Sequence, residues 1–421
     1  MNKNSFTNVK MDKNNPKWSN AIKRQMSLYI RENDVRSDFT RDYNRILHCA
    51  AYSRLKHKTQ VFFATRNDHI CTRIEHVNHV AAVSYSIANF LGLNTELTNA
   101  IALGHDLGHA PFGHAGGLIL NAITKKELKL KFWHEYNSLH FVDNIETLPN
   151  EKDKQKNLNL TYAVRDGIVA HCGEVKSGKI FPRDKVINLL AIKSPGQIQP
   201  YTWEGCVVKV ADKISYLGRD IEDARLLKIL TPSQTNNLEK ILNNTLGVKL
   251  GQINNTILIH NFIADLCKSS SPYEGLRFSK KYADFIEDVK IFNDKNIYNH
   301  ERLSIYKEYA KLIINSVFTI LNDLYDKQTT YEKVLNQQDY TPILATFFLN
   351  WLLKFSDLRK SARVKKKSLK KGIKIRNVKI CSNKIIYFLN RKSDYTKAVI
   401  DFISGMSDSF AIKVFNEITS F

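Results

Sequence analysis

The chain has 421 residues, with 63 Lys and Arg against 41 Asp and Glu (formal net charge +22), 43% apolar and 25% charged residues. The apolar fraction is too high for a disordered chain, and 17 Gly with 9 Pro are too few for a collagen-like or linker-dominated one. At roughly 100–200 residues per domain, the length allows two or three domains, or one large core with an extension.

Residues 1–20 are polar, rich in Asn and Lys, and lack the apolar stretch of a secretory signal, so a cytoplasmic protein is expected. Ile46, Leu47, Ala50 and Ala51 form an apolar stripe that predicts a helix over 42–56; Val80, Val83, Ile87 and Leu91 predict another over 77–91. Thr95 reads as the cap of a helix from Glu96 to about His105, stopped near Gly108 and Pro111, with a further helix starting near Gly113. Residues 133–145, 161–171 and 202–225 are helical, the last stretch long and rich in charged and small residues. The pattern from Leu238 to Leu324 is again helical, with joints at Asn254-Asn255 and at Ser269 to Pro272.

The longest apolar run, Pro342 to Leu353, is broken by Thr346 and Asn350 and falls short of the roughly 18–20 residues of a membrane span. It reads as a buried helix, and no membrane partner is expected. Between Arg359 and Lys379 there are eleven Lys or Arg and no acid. Ile380 to Leu389 fits a short strand or a helix equally well. There is no convincing set of alternating strands and no internal repeat, so the class is mainly α. Six cysteines without CxxC spacing argue against a disulfide framework or a cysteine-type zinc site. The expected organisation is an N-terminal segment 1–37, a catalytic core 38–230 and a helical C-terminal region 231–421 containing the basic segment 359–379.

Ten of the thirteen histidines fall between positions 48 and 140. The most informative stretch is HDLGHAPFGHAG, from His105 to Gly116, preceded by Arg73-Ile-Glu-His76 and followed by Asp212 in VADKISYLGRDIEDA. Neutral imidazoles and carboxylates suit Mn, Fe, Zn or Mg, so His76, the His105-Asp106 pair and Asp212 can close around one divalent ion. Adjacent helical residues diverge by about 100°. His105 and Asp106 therefore converge most easily at a helix end, which Gly108 and Pro111 supply. Taken separately, the same four would be polar residues on core helices. Asp212, Tyr216 and Asp220, at i, i+4 and i+8, share one helix face.

This ordered set resembles the HD-domain phosphohydrolases and, more widely, the deoxynucleoside triphosphate triphosphohydrolase (dGTPase-like) family. The resemblance starts at Arg41-Asp-Tyr-Asn-Arg-Ile-Leu-His48 and Arg54-Leu-Lys-His-Lys-Thr-Gln60-Val61. It continues through RIEH, HDLGHAPFGHAG, FWHEYNSL, LNLTYAVRDGIVAHCGE and VADKISYLGRDIEDA, with DFISGMSD near the C-terminus. It implies an HD-domain helical bundle with a helical C-terminal extension, and His76, His105, Asp106 and Asp212 as ligands of one divalent ion (Mn, Mg, Fe or Zn). It further implies that His109, His114 and His134 act beside the α-phosphate, with His114 the first choice for protonating the leaving 5′ oxygen. Tyr216 would pack on the deoxyribose and Asp220 accept from its 3′-OH; for these two, the alternative is core packing and a surface charge paired with Arg219 or Lys213. Arg73 and Lys213 are candidate phosphate partners, and Gln60 a candidate substrate contact.

Two positions depart from the bacterial pattern: Gly117 stands where an acid is common, and Lys213 where Asp is common. Glu135, next to His134, resembles the pairing of eukaryotic relatives and would orient a histidine instead. The reaction implied is hydrolysis of a dNTP, dGTP among them, to deoxynucleoside and inorganic triphosphate, in a homo-oligomer. The competing readings are another HD phosphohydrolase (a deoxynucleotidase or phosphodiesterase), and a catalytically weak sensor of nucleotides or nucleic acid. The positive charge favours anionic partners in general. The basic segment reads as a weak single-stranded nucleic-acid or nucleotide-effector surface, or as a solvated loop; it lacks the regular aromatic interleaving that would stack bases.

Overall fold

The computed structural model describes residues 6–28, 32–62, 67–150, 154–173, 178–246, 255–360 and 385–420. Apart from the backbone of Arg359 and Lys360, the basic segment 359–379 lies outside the described residues, as do positions 380–384. Of the stretch left open between strand and helix, Tyr387 makes a single parallel bridge to Ser356.

Ser37 caps α1 (Asp38–Leu47), its side chain accepting from the Thr40 N–H. The single helix expected over 42–56 is broken: α1 ends at His48, Cys49 is extended, and a short turn Ala50–Arg54 follows. A straight helix would set Ile46 and Ala51 about 140° apart. The break lets both, and Cys49, reach the core. α2 (Arg73–Leu91) opens on a reciprocal Thr72/Glu75 capping box and closes on Gly92 at φ 75°. Asn94, rather than Thr95, caps α3 (Thr95–Gly104), accepting from the Glu96 and Leu97 N–H groups. After the loop from His105, α4 (Gly113–Leu128) starts as expected. α5 (His134–His140) widens into a π turn over Phe141–Ile145. β1 (Thr147–Pro149) and β2 (Gln155–Asn157) then pair antiparallel, the one sheet among the described residues.

α6 (Tyr162–Ala170) follows, and then α7 (Trp203–Leu226), whose cap Thr202 accepts from the Gly205 N–H. α3 is buried along nearly its whole length and packs on α1, α2, α6 and α7. The C-terminal half adds α8 (Pro232–Leu246), α9 (Asn255–Ser269), α10 (Lys280–Asn293), α11 (Glu301–Asp323), α12 (Thr330–Asn336), α13 (Pro342–Phe355), α14 (Lys392–Ser404) and α15 (Asp408–Thr419). α9 and α10 lie on α7, while α11 and α14 lie on α4. One buried apolar cluster runs from Phe6 to Val414. The fold is mainly α, as read from the sequence. No helix among the described residues is long and apolar enough to cross a membrane.

Candidate active site

The loop after α3 is held against α5 by a glycine. A Cβ on Gly108 would lie 2.1 Å from the Ser138 backbone nitrogen, so no other residue allows this approach without a shift of backbone. The Gly108 N–H donates to Ser138 Oγ at 2.9 Å, its carbonyl accepts from Asn137 Nδ2 at 2.7 Å, and Ser138 Oγ donates to the His105 carbonyl at 2.8 Å. So fastened, His105 and Asp106 meet His76 of α2 and Asp212 of α7. His76 Nε2 is 3.0 Å from Asp212 Oδ1 and 3.9 Å from Asp106 Oδ2. His105 Nε2 is 3.5 Å from Asp106 Oδ2 and 3.8 Å from Asp212 Oδ1. Donors bound to one ion at about 2.1 Å sit roughly 3.0–3.4 Å apart. These four separations lie within about half an ångström of that spacing, and His76, His105 and Asp212 fall in one group of candidate ligand atoms.

The chemistry of the donor set fits a cation. His105 Nδ1 lies 2.7 Å from the Ala102 carbonyl and so carries the proton, leaving Nε2 as a bare lone pair. That atom is buried with no hydrogen-bond partner, an arrangement a bound divalent ion satisfies. Burial would raise the Asp106 pKa, but His105, His109 and Arg73 hold it well below the usual range. Burial likewise opposes ionisation of Asp212, yet the hydrogen bond with His76 and the nearby His105 ring bring it to about 2. Both acids are therefore carboxylates at neutral pH.

A cavity of about 570 Å³ opens above this cluster. Its walls bring together Gln60, Arg73, Lys213, Tyr216 and Asp220 with His76, Asp106, His109, His114, His134 and Asp212. His105 and Glu135 stand behind the wall. Arg73 is buried; it donates to Asp106 Oδ2 at 2.6 Å and to the carbonyls of Thr59 and Gln60. Its geometry is that of a holder for Asp106. Gln60 Oε1 is buried without a partner. Asp220 accepts from the Tyr298 hydroxyl at 2.5 Å, and burial still pushes its carboxyl up to about 7.

His109 and His134 stack with ring centroids 4.0 Å apart, and His114 stands edge-on to both. His109 Nε2 is 3.2 Å from Asp106 Oδ1, and His134 Nε2 is 3.9 Å from the same oxygen. Burial, then Arg73, lowers the pKa of His109 to about 3. Burial, then His109, holds His134 well below its ordinary value. The His114 ring is open to the cavity, but the protein around it and Arg73 lower its pKa too. Glu135 Oε2 is 3.2 Å from His134 Nδ1 without hydrogen-bond alignment, and burial raises its pKa. A Cβ on Gly117 would meet nothing within 4 Å, so the space for the acid common at this position is empty.

Several cavity residues escaped the sequence reading. His171 and Cys172 follow α6, and Lys209 donates to the Cys172 carbonyl at 2.7 Å. Lys209 lies three residues before Asp212 on α7, a spacing that periodicity alone could have flagged. Tyr298 and Lys307 come from the C-terminal half, where no motif marked them.

The HD domain family model matches residues 73–217, a span that includes His76, His105, Asp106 and Asp212. A deoxyguanosinetriphosphate triphosphohydrolase-like protein of Caldanaerobacter subterraneus is 36% identical over 294 residues, 70% of this chain and 75% of that relative. Proteins of the same description from Pelagibacter ubique and Rickettsia bellii are 31% and 27% identical, covering 98% and 96% of this chain and 99% and 97% of their own lengths. With this likeness along nearly its whole length and the HD residues gathered at one cavity, the chain belongs to the dGTPase-like family of HD-domain phosphohydrolases.

Proposed function

We propose that this chain hydrolyses a deoxynucleoside triphosphate to deoxynucleoside and inorganic triphosphate, with His76, His105, Asp106 and Asp212 holding one divalent ion. The observation that carries the reading is the bare, buried His105 Nε2 set among two carboxylates and a second imidazole on the floor of a cavity large enough for a nucleotide. When bound, the ion would polarise the α-phosphate and lower the pKa of an attacking water. The remaining work falls to side chains. Arg73 keeps Asp106 ionised and oriented. Lys209, Lys213 and Lys307 on the cavity wall offset the charge of the polyphosphate.

His109, His114 and His134 are neutral in the free protein, and the arrival of an anionic triphosphate favours their protonated forms. His114, open to the cavity, then protonates the leaving 5′ oxygen, while Glu135 steadies His134. Tyr216 and Asp220 line the wall one and two helical turns beyond Asp212, where a deoxyribose would pack and its 3′-OH would donate.

The test is product analysis. Each dNTP and NTP is incubated with Mn, Mg, Fe or Zn, and the products are separated. Tripolyphosphate and free deoxynucleoside are expected, with Asp106→Ala lowering both turnover and bound metal at least about 1,000-fold. Orthophosphate from monophosphates, or opening of phosphodiesters without tripolyphosphate, would replace this reading with that of a deoxynucleotidase or a phosphodiesterase. Nucleotide binding without turnover under every metal would replace it with that of a sensor.

A further inference from the structure

We propose that His134, His171 and Cys172 form a second cation site, separate from the His76–Asp212 cluster and selective for thiophilic divalent ions such as zinc or cadmium. One donor atom from each of the three residues lies within 4.8 Å of the other two. The spacing is that of a coordination sphere. A tetrahedral zinc with bonds of about 2.3 Å to sulfur and 2.05 Å to nitrogen places S and N roughly 3.6 Å apart. Cys172 Sγ and His134 Nε2 are 3.7 Å apart.

The third donor makes no hydrogen bond through its free nitrogen. His171 Nδ1 lies 2.7 Å from the Ile168 carbonyl, which fixes the proton there. Its Nε2 is a bare lone pair without a hydrogen-bond partner on a side chain only 1% exposed. Cys172 follows α6 directly at the cavity wall, and Lys209 pins its carbonyl, so the thiol is placed by fixed backbone and is reachable from the cavity.

The donor types divide the two sites. Two imidazoles and two carboxylates accept hard or borderline ions, whereas two imidazoles and a thiolate exclude Mg and Mn and take zinc or cadmium. Binding forms the metal–sulfur bond as the S–H bond breaks. The proton passes to Glu135, whose carboxyl contacts the thiol, and then to solvent. His171 Nε2 also lies within reach of His105 and Asp106, so the sites share a wall. An ion here occupies His134 Nε2, 3.9 Å from Asp106, and would inhibit hydrolysis. That consequence rests on the phosphohydrolase reading; the site itself does not.

Cadmium titration of the full chain, followed by the ultraviolet thiolate-to-cadmium charge-transfer band, tests the site without any turnover. One equivalent is expected to develop the band in the wild type, and Cys172→Ser to abolish it while keeping the wild-type circular dichroism. His171→Gln, a second and independent variant, is expected to raise the half-saturating cadmium concentration at least tenfold. A band that survives Cys172→Ser, or a half-saturation unmoved by His171→Gln, overturns the proposal. In parallel, zinc is titrated into the Mn-supported reaction. Cys172→Ser, measured against its own uninhibited rate, is expected to need at least tenfold more zinc. Loss of the band with unchanged zinc inhibition supports the cation site and overturns its inhibitory role.

Discussion

Asp408 binds the C-terminal helices to the loop that carries His109 and leads into α4 and His114, and removing it has a calculable cost. It opens α15, and its two oxygens divide the work: Oδ1 accepts from the Phe112 N–H at 2.8 Å and Oδ2 from the Thr59 N–H at 3.0 Å. Phe112 is a left-handed residue at φ 62°, a conformation that costs a non-glycine residue about 1–2 kcal/mol and needs outside support. Beside it the buried Lys58 side chain, whose pKa burial lowers to about 7, donates to the carbonyls of His109 and Ser404. Hydrogen bonds to a charged group contribute about 1.5–3 kcal/mol each. Asp408→Ala should therefore lower the unfolding free energy by about 3–6 kcal/mol. Asp408→Asn keeps one acceptor and should lose about half as much. Relaxation of the loop by about 1 Å should also cut kcat roughly 100-fold. Urea unfolding and steady-state rates at pH 8 are the measurements, since burial raises this carboxyl and a slightly alkaline buffer keeps it ionised. Stability within about 0.5 kcal/mol of wild type and an unchanged kcat in Asp408→Ala would show that the clasp holds nothing.

Asp408 also marks a limit of the sequence: it ends the DFISGMSD stretch, yet nothing in that stretch says which loop it holds. That His76, His105, Asp106 and Asp212 would come together was legible because their chemistry coincides with local grammar. Gly108 and Pro111 end a helix beside an adjacent His and Asp, and Asp212, Tyr216 and Asp220 repeat at helical spacing. Tyr298 and Lys307 reach the same cavity through tertiary packing of C-terminal helices whose periodicity says only that they are helices. The break at Cys49 was hidden for a related reason: the stripe through Ile46, Leu47, Ala50 and Ala51 fits a straight helix, and only the position of the core decides that Cys49 and Ala51 turn inward while Ala50 stays exposed. Asn94 and Thr95 are both good caps by type, so backbone geometry alone selects Asn94. The β1–β2 hairpin has three residues per strand, too few for an alternation to register. Arg73 was legible as a cation near phosphate chemistry, yet its ties to Asp106, Thr59 and Gln60 are long-range contacts that no spacing encodes.

Three further substitutions separate the forces at the site. Gly117→Ala adds a Cβ that meets nothing on helix α4, so urea unfolding should show a gain of about 0.5–1 kcal/mol; a loss would mean the face is occupied. Gly108→Ala drives a Cβ into the Ser138 backbone and should cost about 3 kcal/mol or more, with turnover lost in parallel; a silent variant would refute the fastening of the loop to α5. Asp220→Asn tests burial through pH. The wild-type carboxyl titrates near 7 when folded, against roughly 3.9 when unfolded. Between those values the folded state keeps a proton that the unfolded chain has released, so its stabilising contribution is complete below about pH 4 and lost as pH rises through 7. At about 1.4 kcal/mol per unit the loss reaches up to roughly 4 kcal/mol, and asparagine, which does not ionise, escapes it. The stability difference, wild type minus Asp220→Asn, should accordingly fall by up to that amount between pH 4 and pH 8. A difference that stays flat would mean that water or a cation reaches Asp220, and that burial does not set its charge.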